Sequence, residues 1–220
     1  MNPRKVLRHT LVSEGTTDAN LVPIIEWTLK EKAGVSLAQG THAEFWRLPN
    51  PPGGLSEKIT KALVAFPCDV LFVHRDADTA GREDRLREIH TAFIKARASG
   101  VECPVVALIP VRMLEAWLCL DESAIRKAAG NPNGDQPLSL PDAKRIEQRP
   151  DPKSDLHWAL RAASGLRGRR LKKFDTAQAF WRIVDYIEDF SPLRQLPSYQ
   201  AFEATVRRMG ENQWQPGFYG

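Results

Sequence analysis

Apolar residues recur through the first half of the chain in two alternating rhythms. Residues 6–12 form a short run that reads as a strand, and 19–31, ANLVPIIEWTLKE, set Leu21, Ile24, Ile25 and Leu29 at helical spacing. Pro23 falls in the first turn of that helix, where a missing N–H is no loss. A short strand is expected at 43–48, AEFWRL, followed by the loop PNPPGG at 49–54 and a helix over 55–66. DVLFVHRD, 69–76, is the strongest strand of the chain, an unbroken apolar run of the kind buried on both faces of a parallel sheet. A helix over 81–100 follows, with Leu86, Ile89, Phe93 and Ile94 on one face and Gly100 as its stop, and CPVVALIP, 103–110, reads as a further buried strand.

Four alternations of strand and helix predict an α/β domain with a mainly parallel four-stranded sheet flanked by helices. Helical pieces at 111–120 and 122–130 come next, the second capped by Asp121 and stopped by Gly130. Five prolines then crowd residues 132–152, which marks a boundary. The expected organisation is a catalytic domain over 1–130, a proline-rich linker over 131–153, and a helical C-terminal extension over 154–220. That extension is expected to hold amphipathic helices at 155–164, 175–190 and 198–209, in which Trp158, Phe180 and Trp181 fall at core spacing and read as packing residues.

Composition changes this picture little. A hydrophobic content of 42% fits an ordinary globular protein, no stretch approaches the roughly 18 apolar residues of a membrane helix, and the first ten residues lack the apolar centre of a signal peptide. A cytoplasmic location, with no membrane partner, is the expectation. Cys68, Cys103 and Cys119 form no C-x-x-C pair and the five histidines are dispersed, so a zinc site is not expected and any metal should be held by oxygen. The net charge of +4 is unevenly placed: residues 161–173, RAASGLRGRRLKK, hold six basic residues and no acid.

Ligands of open parallel sheets bind beyond the carboxyl ends of the strands. The first strand ends at Glu14 and Gly15, with Asp18 one turn on, and the third runs into Asp76 and Asp78. Two carboxylates at i and i+2 of an extended segment point the same way, and a Glu from the neighbouring strand end can join them. Crowded carboxylates repel and call for a cation; oxygen ligands favour Mg²⁺ or Mn²⁺. Glu115 follows the last strand and reads either as the exposed face of a packing helix or as a further ligand. Arg75 reads as a phosphate contact, whereas His74 reads as an ordinary strand-end residue. Taken singly, Glu14 and Asp18 could also be a turn residue and a helix cap.

Glu14-Gly15 after a first strand and Asp76-x-Asp78-x-x-Gly81 after a third resemble the Toprim domain of topoisomerases, bacterial primases, small nucleases and overcoming-lysogenization-defect nucleases. The resemblance spans roughly residues 5–110, half the chain. Glu14-x-x-x-Asp18 further resembles the last of these groups, whose acids serve a two-metal site. IPVRMLEAWLCLD and SPLRQLPSYQAFEATV resemble segments of Toprim-like proteins encoded beside ATPases in bacterial defence loci.

The resemblance implies a Mg²⁺- or Mn²⁺-dependent nuclease of DNA or RNA, with Glu14, Asp76 and Asp78 catalytic and Glu14, Asp18, Asp76, Asp78 and Glu115 holding metal. Arg75, Arg167, Arg169, Arg170, Lys172 and Lys173 would contact nucleic acid. The alternative is a non-catalytic partner or sensor subunit of a separate ATPase, since the chain has no G-x-x-x-x-G-K-[ST] loop of its own. A topoisomerase would need a strand-passing domain for which the chain is too short, and a full primase would need a zinc ribbon. Small-molecule phosphohydrolases with an acidic Mg²⁺ site carry an aspartate where this chain has Glu14.

Overall fold

The computed structural model describes residues 6–111 and 113–220. The chain begins with β1 (Leu7–Val12), α1 (Leu21–Lys32), β2 (Ala38–His42), α2 (Leu55–Ala65), β3 (Val70–His74), α3 (Arg82–Arg97) and β4 (Pro104–Leu108). Six short helices follow: α4 (Glu115–Leu118), α5 (Glu122–Ala128), α6 (Ala143–Ile146), α7 (Pro152–Ala163), α8 (Gly168–Lys172) and α9 (Thr176–Trp181). The chain closes with α10 (Pro197–Glu211) and β5 (Gly217–Tyr219). It divides into two units, the first running to Ile109 and resuming over Gln200–Gly220, the second spanning Pro110–Tyr199.

The first unit is α/β, with a five-stranded, all-parallel sheet of order β2-β1-β3-β4-β5. Side chains of a strand alternate between its two faces. On one face Val12, Leu71, Val73, Val105 and Ala107 pack with Ile59 and Ala62 of α2 and with Ile89, Phe93 and Ala96 of α3. On the other, His9 meets Phe72 edge-on at 5.4 Å, and Phe72 meets Phe202 of α10 at 6.0 Å. β3 is wholly buried, as its continuous apolar run foretells. Pro23 lies in the first turn of α1, where its ring is tolerated.

Several expected elements differ. Residues 43–48 are not a strand, for Phe45–Arg47 make a single 3₁₀ turn, and the second strand is the preceding AQGTH of β2. That edge strand has no apolar run to announce it. It carries Gly40 because a Cβ there would lie 2.4 Å from Val22 Cγ1 and 2.6 Å from His9 Cε1. The sheet has a fifth strand, β5, drawn from a segment expected to be helical extension. Ile94 is 55% exposed, so the buried face of α3 runs instead through Ile89, Ala92, Phe93 and Ala96.

The second unit is helical. Asp121 caps α5 by accepting from Ala124 N at 2.9 Å, and Gly130, with φ of 77°, ends it. Its buried Trp117 stands edge-on to Tyr199 at 5.3 Å and donates from Nε1 to Ser198 Oγ at 2.9 Å; Ser198 in turn donates to Glu147. The proline-rich stretch expected as a linker lies inside this unit and carries α6. Residues 175–190 break after Trp181 rather than continuing as one helix, and a 3₁₀ turn over Val184–Tyr186 follows. Phe180 is buried, but Trp158 is 74% and Trp181 37% exposed, against their expected packing role. Cys119 is buried and its thiol is pushed up to about 12 by that burial, while Cys68 and Cys103 are half-buried and all three are free. No helix among the described residues is long and apolar enough to cross a membrane.

His9 sets two expectations for stability. Both of its ring nitrogens are buried without a hydrogen-bond partner among the described residues, and burial lowers its pKa to about 4. The folded ring therefore stays neutral while the unfolded chain takes up a proton below its ordinary 6.5. Stability is full above that value and is lost as the pH falls towards about 4, by about 3 kcal/mol from this group. Urea unfolding at about pH 7 and about pH 4 should show a smaller acid loss in His9→Leu than in the parent chain. Gly40→Ala should lower stability by about 1–3 kcal/mol in the same assay at neutral pH, because the new methyl overpacks against Val22 and His9.

Candidate functional site

Parallel pairing brings the carboxyl ends of β1, β2, β3 and β4 to one edge of the sheet. Val12 stands opposite Val73, and His74 opposite Leu108. Glu14 and Arg75 each lie two residues beyond a paired position, and their side chains form an ion pair. Arg75 also reaches Glu88 of α3 at 2.5 Å, and Arg85 holds the other oxygen of Glu88 at 3.0 Å. Arg85 Nε further donates to the carbonyl of Asp76 at 2.9 Å, which fixes the turn after β3.

Arg75, expected as a phosphate contact, is thus a nearly buried cation between two carboxylates, with 12% of its side chain exposed. Its Nε is buried without a hydrogen-bond partner among the described residues. Glu14 is the exposed member of the pair, with 63% of its side chain in solvent.

Beside this pair lies His74, the last residue of β3 and wholly buried. Its Nδ1 is 3.2 Å from the carbonyl oxygen of Leu108. A carbonyl only accepts, so Nδ1 carries the proton of this contact. In the neutral ring, Nε2 then presents a lone pair, and it lies 3.8 Å from Asp18 Oδ1 and 3.5 Å from Asp76 Oδ1. Burial lowers the pKa of His74 and so favours that neutral ring, with Asp18 and the Leu108 contact opposing it.

Asp18 is itself buried and accepts from the backbone N–H of Gly15 at 2.9 Å through its other oxygen. The spacing Glu14-Gly15-x-x-Asp18 therefore folds the chain back so that one carboxylate oxygen closes the turn and the other faces His74. His42, at the end of β2, completes the group: Ser13 Oγ lies 2.7 Å from its Nε2. Burial lowers the pKa of His42, and the charges of Asp18 and Glu44 act against that shift.

The structure brings Glu14, Asp18, Arg75 and Asp76 to one strand edge, with His42 and His74 among them. Asp78 lies in the turn two residues past Asp76. β3 ends at His74, Asp78 has a left-handed φ of 46°, and its exposed side chain makes no hydrogen bond or ion pair among the described residues. The extended geometry behind the i, i+2 expectation is absent at this turn. Glu115 belongs to the second unit, where it is buried rather than exposed and lies 3.9 Å from Lys153 Nζ. Arg167, Arg169, Arg170, Lys172 and Lys173 are exposed in that same unit.

The donors fit a divalent cation in kind: two carboxylates and an imidazole whose other nitrogen is held by a carbonyl, the usual support of a metal-binding histidine. They are not closed around one, since no group of three or more His, Cys, Asp or Glu side chains among the described residues stands ready to hold a metal ion. His74, read from sequence as an ordinary strand-end residue, ends a strand whose apolar run is plain, whereas His42 ends an edge strand with no such run, so only the sheet joins the two. Comparison with family models, curated proteins and solved structures finds no match.

Arg75→Met should cost about 2 kcal/mol in urea unfolding, because it removes charged hydrogen bonds to Glu14 and Glu88 from a nearly buried position, leaving Glu88 with Arg85 alone. Glu14→Gln should cost less than about 1 kcal/mol, its carboxylate being largely hydrated.

Proposed function

We propose that this strand edge is a divalent-cation site for phosphodiester hydrolysis in a Toprim-like nuclease of DNA or RNA. The observation that carries the reading is His74 Nε2 facing both Asp18 and Asp76 at 3.8 and 3.5 Å. Three acceptor groups directed at one another are an arrangement that a cation stabilises. Asp18, His74 and Asp76 would hold it, joined by Glu14 once that carboxylate leaves Arg75. When bound, a divalent cation supplies Lewis acidity toward a phosphoryl oxygen.

The chain's own residues supply the remainder. Leu108 fixes the tautomer and direction of the His74 ring. Gly15 N–H orients Asp18. As the alternative to joining the cation, Glu14, the exposed carboxylate of its ion pair, would take a proton from an attacking water. Arg75, released from Glu14, is freed to meet the phosphate with its guanidinium fork. An imidazole in the donor set favours Mn²⁺ over Mg²⁺, which takes oxygen ligands almost exclusively.

A second reading, a non-catalytic partner or sensor subunit of a separate ATPase, is favoured by the Glu14–Arg75 ion pair, in which a cation of the chain's own already occupies that carboxylate. The two readings part in one experiment. Supercoiled plasmid, single-stranded DNA and RNA are incubated with the protein in Mg²⁺ or Mn²⁺, beside Asp18→Asn, His74→Ala and Asp76→Asn variants. The nuclease reading expects cleavage that is faster in Mn²⁺, abolished by EDTA, and reduced at least ~100-fold in each variant. Absence of cleavage by the parent chain, or equal cleavage by all variants, discards it in favour of the subunit reading.

A further inference from the structure

A groove of about 720 Å³ opens on the second unit, between the loop at 131–137 and the segment joining α7 to α8. Trp158, Arg161, Ala162 and Gly165 line one wall. Their spacing of three, four and seven residues puts them on a single helical face of α7 and its continuation. The opposite face of α7 buries Leu156, Ala159, Leu160 and Ala163, so Trp158 is left with 74% of its surface in solvent. A single exposed indole needs no explanation by itself, but here it stands in the wall of a groove that also holds unbonded amides and cations.

The groove is held in shape by partly buried hydrogen bonds. Asn131 Nδ2 donates to the carbonyl of Ala163 at 2.9 Å, tying the loop to the end of α7. Arg126 Nη2 donates to the carbonyl of Gln136 at 2.6 Å and to Glu122 at 2.5 Å. Gly134 and Gly165 pack around Asn131: a Cβ at Gly134 would lie 2.4 Å from its Nδ2, and one at Gly165, whose φ is +64°, would lie 3.0 Å away. The loop facing Trp158 is therefore braced, while the side chains of Asn133 and Gln136 make no hydrogen bond among the described residues and are available to a ligand.

Charge supplies the rest. Arg161 and Arg167 line the groove against one acid, Asp135, and α8 with its C-cap adds exposed Arg169, Arg170, Lys172 and Lys173. None of these six cations has an ion pair among the described residues. A flat aromatic face, free amide groups and two unpaired cations line the groove, and four more cations follow on α8 and its C-cap; together they match a ligand that has bases to stack, base edges to read and phosphates to neutralise. A duplex hides its base faces, whereas a single strand offers them.

We infer that this groove binds single-stranded nucleic acid, with Trp158 as the stacking platform and the cations of 161–173 tracking the phosphates. This deepens the nucleic-acid part of the proposed function by naming single strands. It is tested in EDTA, where the strand-end site plays no part, so that loss of one reading leaves the other standing.

The experiment is fluorescence anisotropy of labelled oligo(dT) and oligo(U) of ~20 nucleotides, and of a matching duplex, with the full chain over a range of salt. Single strands should bind more tightly than the duplex. Trp158→Ala should weaken binding about tenfold or more, and Trp158→Phe should restore most of it. Arg169→Gln/Arg170→Gln should lower the slope of log K against log salt by about 1. Because these residues are exposed, unfolding midpoints should stay at the parent value, and binding is compared among variants that meet this condition. No binding by the parent chain, duplex binding equal to single-strand binding, or full binding by Trp158→Ala would overturn the inference.

Discussion

The register between β1 and β3 is the constraint on which the site depends. Parallel strands bring like ends together, and the match of Val12 to Val73 decides which of the residues beyond those ends can meet. A slip of one residue would turn every side chain of a strand to the opposite face. The slip is opposed because both faces are occupied: Leu71 and Val73 are fitted to α2 and α3, while Phe72 is fitted to His9 and to Phe202. The core therefore fixes the meeting of Glu14 with Arg75, and of His74 with Asp18, although none of the four is apolar.

Two kinds of electrostatic group result at adjacent positions. Arg75 is a permanent cation satisfied by carboxylates on either side. His74, one residue earlier, is buried, has one nitrogen committed to a backbone carbonyl, and faces carboxylates with the other. Alternation along β3 and its exit separates the two, so that the guanidinium neutralises Glu14 and Glu88 while the imidazole stands among acids with only its own proton to offer. The edge therefore carries one acid paired with a guanidinium and two that face an imidazole.

The strands that the sequence made legible were those with apolar runs, because burial on both faces leaves an unambiguous mark on β3 and β4. β2 and β5 were hidden for a common reason. Each pairs on one side only, and AQGTH and GFY are too short or too polar to show periodicity. Glu14, Asp18 and Asp76 could be found because strand ends in a parallel sheet are where ligands go. The extended geometry that the spacing of Asp76 and Asp78 implied ends at a left-handed φ at Asp78, which is not legible from sequence. His42 and His74 could not be joined from spacing, since 32 positions separate them and only the sheet brings both to one edge. Trp158 was misjudged because helical spacing identifies a face without saying whether that face is covered.

The fifth strand has a consequence for how the molecule comes into being. β4 is complete at Leu108, but the strand that covers its outer side begins only at Gly217, with the whole second unit between them in the chain. On a ribosome adding roughly 5–20 residues per second, the four strands already made would wait several seconds or more with one edge of unpaired backbone groups in solution. The second unit has that interval in which to fold first. Its folding draws the two ends of a long segment closer, shortening the loop that must close before β5 can dock, and so ties the timing of the sheet to the folding of a helical unit that contributes no strand to it.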